Sequence, residues 1–167
     1  MMNYSSLVQY FQQLAAQHKQ IAHSPLERHF FRINIDQLIT GFRQEINFPA
    51  VMLELPESRM IGNSLDTLFL SRLVAVTFLD KVEIDDHEAE LSCYDRMELL
   101  GMDFLSRIRR DYQSTPNRFI SYFDFNDVRS YKVGPIHHSC FGMRFEFTIG
   151  DPSMSVMHYN PSNWLDQ

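Results

Sequence analysis

Apolar residues recur at three- and four-residue steps from the start of the chain: Tyr4, Leu7, Val8, Phe11, Leu14 and Ala15, with His18 closing the series. That spacing gathers one face of a helix over residues 4–18, and Ser24-Pro25 breaks it. HFFRINI (29–35) predicts a short strand. DQLITGFRQEI (36–46) predicts a short helix with Asp36 as its N-cap and Gly41 as a weak point. The period then changes to two. In AVMLEL (50–55), Val51, Leu53 and Leu55 alternate with Met52 and Glu54, which is a strand pattern. PESRMIGNS (56–64), punctuated by Pro, Gly and Asn, predicts a turn region. LDTLFLSRLVAVTFL (65–79) predicts a long strand whose apolar face, Leu68, Leu70, Val74, Val76 and Phe78, is interrupted by Arg72. These two strands are expected to pair as a hairpin with a projecting tip.

Asp85 and Asp86 stand where acidic residues favour a helix start. Tyr94, Met97, Phe104, Leu105, Ile108 and Tyr112 continue as an apolar stripe towards Arg107, Arg109 and Arg110, cations that suit a helix C-terminus. Gly101 falls on the same stripe, so the helix is expected to approach its sheet closely there. Residues 114–117 stop it. The last third reads as strand: alternation over 119–125, a turn at Asn126-Asp127, a return over 128–133, and a break at Gly134-Pro135. From Phe141, the series Phe141, Met143, Phe145, Phe147 and Ile149 alternates with Gly142, Arg144, Glu146 and Thr148. Residues 151–167, with prolines at 152 and 161, predict an irregular tail. The order points to an α+β fold in a single domain over 1–167. It has a mostly antiparallel sheet, an N-terminal helix and one long helix packed on one face, and a strand-rich C-terminal third.

Composition narrows the function classes. A chain of 167 residues suffices for one packed core, and 14 Phe against one Trp make that core one of large flat side chains. The formal net charge is −6 and no basic block occurs. A groove that tracks nucleic-acid phosphates is not expected, and no specific nucleic-acid binding is assigned. No run reaches the roughly 18 to 20 apolar residues that span a bilayer. The first residues lack the basic and apolar regions of a signal peptide. With Cys93 and Cys140 as the only cysteines, these features imply a reduced, cytoplasmic setting and no membrane partner.

GPIHHSC (134–140) holds the closest grouping of potential ligands, His137, His138 and Cys140. A zinc site needs about four ligands, usually as two spaced pairs, and no second pair matches this one. Neighbouring residues of a strand also point to opposite faces. Cys140 as a nucleophile would need a base and an orienting group. The alternation after Phe141 accounts for the cluster as a loop entering a strand, with Cys140 in phase with the polar face. The alternative is a small metal-binding protein or enzyme centred on the three residues. DDHEAE (85–90) lacks the glycine and ligand spacing of a calcium loop and reads as an acidic helix start. Arg144 and Glu146 read as a charge pair on one strand face. No catalytic residue, cofactor or metal ligand is assigned. Trp164, in the polar tail, either folds back or anchors a neighbour.

FPAVMLELPES (48–58), FLDKV (78–82), FDFNDVRSYKVGPI (123–136), GMRFEFTIG (142–150) and NPSNW (160–164) resemble blocks of a group of uncharacterised, prophage-associated proteins of Bacteroidetes. The order of elements also resembles that of phage tail-terminator and head–tail completion proteins. Those are small α+β subunits that assemble into rings closing the tail tube, without catalytic residues or cofactor. The resemblance implies a structural assembly protein, a homo-oligomeric ring touching other tail or head–tail proteins. It would be made in the bacterial cytoplasm and carried in a virion or tail-like particle. The matching blocks define no residue roles. Arg59 and Asn63 in the hairpin loop and Trp164 in the tail are the expected subunit contacts. A host adaptor domain using the Trp164 tail as a peptide anchor is the remaining alternative.

Overall fold

A computed structural model describes residues 3–32, 46–62, 68–83, 85–114, 122–136, 139–152 and 159–165. Helix α1 (Tyr4–Gln17) begins where Asn3 and Ser6 cap each other. The Ser6 backbone N–H donates to Asn3 Oδ1 at 2.8 Å, and the Asn3 N–H donates to Ser6 Oγ at 3.0 Å. That satisfies donors the first turn would otherwise leave open. Its apolar face buries Leu7, Phe11, Leu14 and Ala15, as the three- and four-residue spacing predicts. Of the strand expected over 29–35, Phe30–Arg32 (β1) is described. The short helix expected after Asp36 falls largely within residues 33–45, outside the described residues.

Strand β2 (Ala50–Ile61) runs well past the expected end at Leu55. The polar PESRMI segment pairs with β3 (Phe69–Lys81) instead of turning. A register shift between Glu54 and Glu57 explains this, because it takes Pro56, which has no N–H to donate, out of the ladder. Pairing resumes at Glu57↔Leu73 and continues to Ile61↔Phe69. Strand β3 is flanked by β6 (Cys140–Pro152) along its full length, to Phe69↔Pro152; the tip expected to project lies largely in 63–67, outside the described residues.

Helix α2 (His87–Ser114) starts at Asp86, whose carboxylate accepts the Ala89 N–H at 2.9 Å. Cys93, Met97, Leu100, Gly101, Phe104, Leu105 and Ile108 form its buried stripe. Tyr10 of α1 donates to Asp111 of α2 at 3.0 Å, and Arg107 holds the same carboxylate at 3.0 Å. Burial and that carboxylate push the Tyr10 hydroxyl far above its usual pKa. After α2 come β4 (Tyr122–Phe123), a one-turn 3-10 helix (Phe125–Asp127) at the expected turn, and β5 (Arg129–Ile136). Gly134-Pro135 does not end β5. Gly134 takes φ 129, open to glycine alone, and a second register shift carries the strand on to Ile136.

The sheet order is β1-β2-β3-β6-β4, with β5 also paired to β6. The β1–β2 pair is parallel and the others are antiparallel. Both helices lie on one face, over Val51, Leu53, Val74, Val76, Phe78 and the odd-numbered residues of β6. This is an α+β fold with a mostly antiparallel sheet. Its opposite, outer face is the surface that the helices leave to other uses.

Candidate functional site

Strand parity decides what reaches the outer face. It takes Ser71, Leu73, Ala75, Thr77 and Leu79 from β3, and Cys140, Gly142, Arg144, Glu146 and Thr148 from β6. At one end, Ala50, Met52, Leu79, Ile136 and Cys140 form a buried apolar cluster, with Phe31, Ile46, Phe48 and Val133 packed on it. In the middle, Arg144 grips Glu54 through Nε at 2.9 Å and Nη2 at 3.2 Å and also bonds Glu146. This bidentate pairing fixes both carboxylates against the sheet. The expected Arg144–Glu146 pair is therefore present, with a partner from β2 that the sequence did not announce.

The hairpin end of the outer face is more open. Glu57, Arg59, Ser71, Leu73, Asp127 and Thr148 help line a cavity of about 210 Å³ there. Thr148 Oγ1 donates to Asp127 at 2.7 Å and ties the 3-10 turn to β6. Leu73 is 45% exposed there, whereas Met60, exposed and paired with Leu70, lies on the opposite face of the hairpin. An exposed leucine beside an arginine suits protein contact better than bond-making chemistry.

The sequence-predicted residues are distributed as follows. Arg59 lines the 210 Å³ cavity. Asn63, His137 and His138 lie outside the described residues. Trp164 is 57% exposed and its ring stacks with Tyr159 at a centroid distance of 6.3 Å. Cys140 faces outward as its phase predicts, but the sheet at that end is apolar rather than polar, so the thiol is buried. Burial pushes both the Cys140 and Cys93 thiols up, away from the reactive thiolate. Asp86 acts as a helix cap, in keeping with an acidic helix start. Among the described residues, no three His, Cys, Asp or Glu side chains converge where they could hold a metal ion. Among them also, no helix is long and apolar enough to cross a membrane.

Two features escaped the sequence pattern. Arg72, visible only as an interruption, is buried on the helix face. It donates to Ser58 Oγ at 2.8 Å and lies 4.9 Å from the centre of the Tyr4 ring. It thereby fastens the start of α1 to the hairpin. The second is a cavity of about 440 Å³ beside α2, near Pro49 and Asp80 and bordered by the exposed Leu99. Reading α2 for its buried stripe passes over Leu99, because single exposed leucines are ordinary in soluble proteins. No protein-family model matches the sequence, and no curated protein matches it.

Proposed function

We propose that the chain is a structural assembly protein, a subunit of a phage-tail or tail-like ring of the tail-terminator kind, acting through protein–protein contacts. The observation that carries this reading is the hairpin end of the outer sheet face, where Leu73 stands exposed beside Arg59 in the same cavity. The role is geometric. Long ladders join β2, β3 and β6 into a stiff plate. Repeating that plate about an axis closes a ring whose contacts are renewed at every subunit. Other tail or head–tail proteins would stack on the ring. A net charge of −6 favours passage of DNA without adhesion. The protein is made in the cytoplasm and carried in the particle.

Light scattering and negative-stain imaging of the purified chain test this. The expected outcome is a closed ring of uniform size, with the Arg59→Glu, Leu73→Glu double variant weakening association at least about tenfold, as loss of interface anchors does. The variant should keep its far-ultraviolet circular dichroism, since both residues are exposed. A single subunit at every concentration and salt, alone and mixed with a tail-tube protein, overturns the reading.

A further inference from the structure

Helix α2 carries a second apolar stripe, on the side away from the sheet. Leu91, Leu99 and Met102 are 60%, 67% and 47% exposed. At about 100° per residue they share an arc of about 80° with Asp95 and Arg109. That arc faces away from the buried stripe of Met97, Leu100, Phe104 and Ile108. One exposed leucine is ordinary, but three large apolar side chains along one helical face make a contact surface.

Charge along the same face decides what covers it. Exposed Asp95 and Glu98 stand in the first half of α2, and exposed Arg109 and Arg110 stand near its end. Arg96 and Arg107 are engaged by Asp80 and Asp111. Among the described residues, no ion pair engages Asp95, Glu98, Arg109 or Arg110. Asp95 and Arg109 each lie seven residues from Met102, one on either side. That is about 10 Å along the axis at ~1.5 Å per residue. A second α2 laid antiparallel across Met102 therefore sets Asp95 of each copy against Arg109 of the other. Glu98 then meets Ser106, so no like charges face each other. A parallel arrangement would set Asp95 against Asp95 and Arg109 against Arg109. The face is thus complementary to itself, in one direction only.

We propose that two copies of the chain pair through this face of α2, antiparallel, about a two-fold axis at Met102. Leu99 and Met102 of both copies fill the centre, and two symmetry-related Asp95–Arg109 contacts flank it. The same patch serves on both sides, as an isologous contact requires. The inference goes beyond the ring reading and does not rest on it. That reading uses the outer face of the sheet, and this contact uses the helix layer on the opposite side.

Charge reversal tests the pairing and its direction together, read by sedimentation. It is done in the Arg59→Glu, Leu73→Glu background, which removes the proposed ring contact and should leave the α2 pair intact. Asp95→Arg and Arg109→Asp should each weaken pairing at least about tenfold, because each sets like charges together twice. Mixing the two should restore it, since every contact between them then joins opposite charges. The substituted side chains are exposed, so the far-ultraviolet circular dichroism should not change. Met102→Cys adds a direct reading. At the crossing point the two new thiols meet, and mild oxidation should link the copies as a covalent pair. The native thiols of Cys93 and Cys140 are buried and stay out of that reaction. A mixture no stronger than either charge variant alone, or no covalent pair, overturns this inference. Rings formed by the unaltered chain in that case leave the ring reading standing. A covalent pair through Met102→Cys without rings does the reverse.

Discussion

At Gly101 α2 lies close against the sheet, and a Cβ at that position would overlap the Phe145 ring. Phe145 cannot yield, because it is buried and its ring is edge-on to Phe78, 5.9 Å away. Alanine there would gain up to about 1 kcal/mol of helix propensity. Overpacking costs about 1–3 kcal/mol, so the clash wins. Gly101→Ala should lower stability by about 1–2 kcal/mol, read as a lower urea midpoint at unchanged m-value. Adding Phe145→Leu should recover part of that loss in a double-mutant cycle, and additive effects would refute the contact. This residue was legible in the sequence, since a glycine that weakens a helix on its apolar stripe signals a neighbouring layer too close for a side chain. Arg72 was not. Its burial depends on Ser58 and on the Tyr4 ring, both distant in sequence, and a period-two pattern registers only that a cation breaks an apolar face.

At the scale of elements, the junction between α1 and β1 turns on His23. Its Nδ1 accepts the backbone N–H of His29 at 3.2 Å and of Phe30 at 3.3 Å, so that nitrogen must be unprotonated. Its Nε2 lies 3.4 Å from the Gln12 side-chain amide. Burial, aided by the nearby His29 and Arg28, lowers the His23 pKa below the ordinary histidine value. The sign follows directly. The unfolded chain takes up a proton at about pH 6.5 and the folded one only below it. The contribution of this junction is therefore full above about 6.5 and fades as pH falls through the folded value. Acidification from about pH 7 to 5 should lower the unfolding midpoint, and His23→Asn, whose oxygen can accept in place of Nδ1, should flatten that dependence. An equal slope in the variant would remove His23 from the account. Element boundaries were legible where local chemistry sets them, as at Asp86 and Ser114. They were misplaced at Pro56 and Gly134-Pro135, where tertiary pairing absorbs a breaker into a bulge.

For the whole molecule, the sequence yields the α+β class and the face that carries the helices, but not the pairing order. The β3–β6 ladder joins segments separated by all of α2, β4 and β5, and no local period encodes that partnership. The parallel β1–β2 pair rests on three residues, too few to read. The candidate surfaces were half legible: Arg59 and Trp164 are positions that stand out in a sequence, whereas the Leu99 cavity exists only once Pro49 and Asp80 lie beside α2. The same topology predicts where the fold is firmest. Strands β3 and β6 are paired along both edges over most of their length and covered on one face by Phe104, Ile108 and Phe11. Among the described residues β5 pairs with β6 alone. Hydrogen exchange of the single subunit should therefore leave the amides of residues 74–79 and 143–147 until last, exchanging together at the free energy of global unfolding. Amides of β5 on its outer edge should exchange much sooner. Equal protection of β5 and β6 in the single subunit would contradict β5 as an edge strand. A rise in β5 protection confined to the assembled form would place that edge, together with the outer face beside it, at a subunit contact.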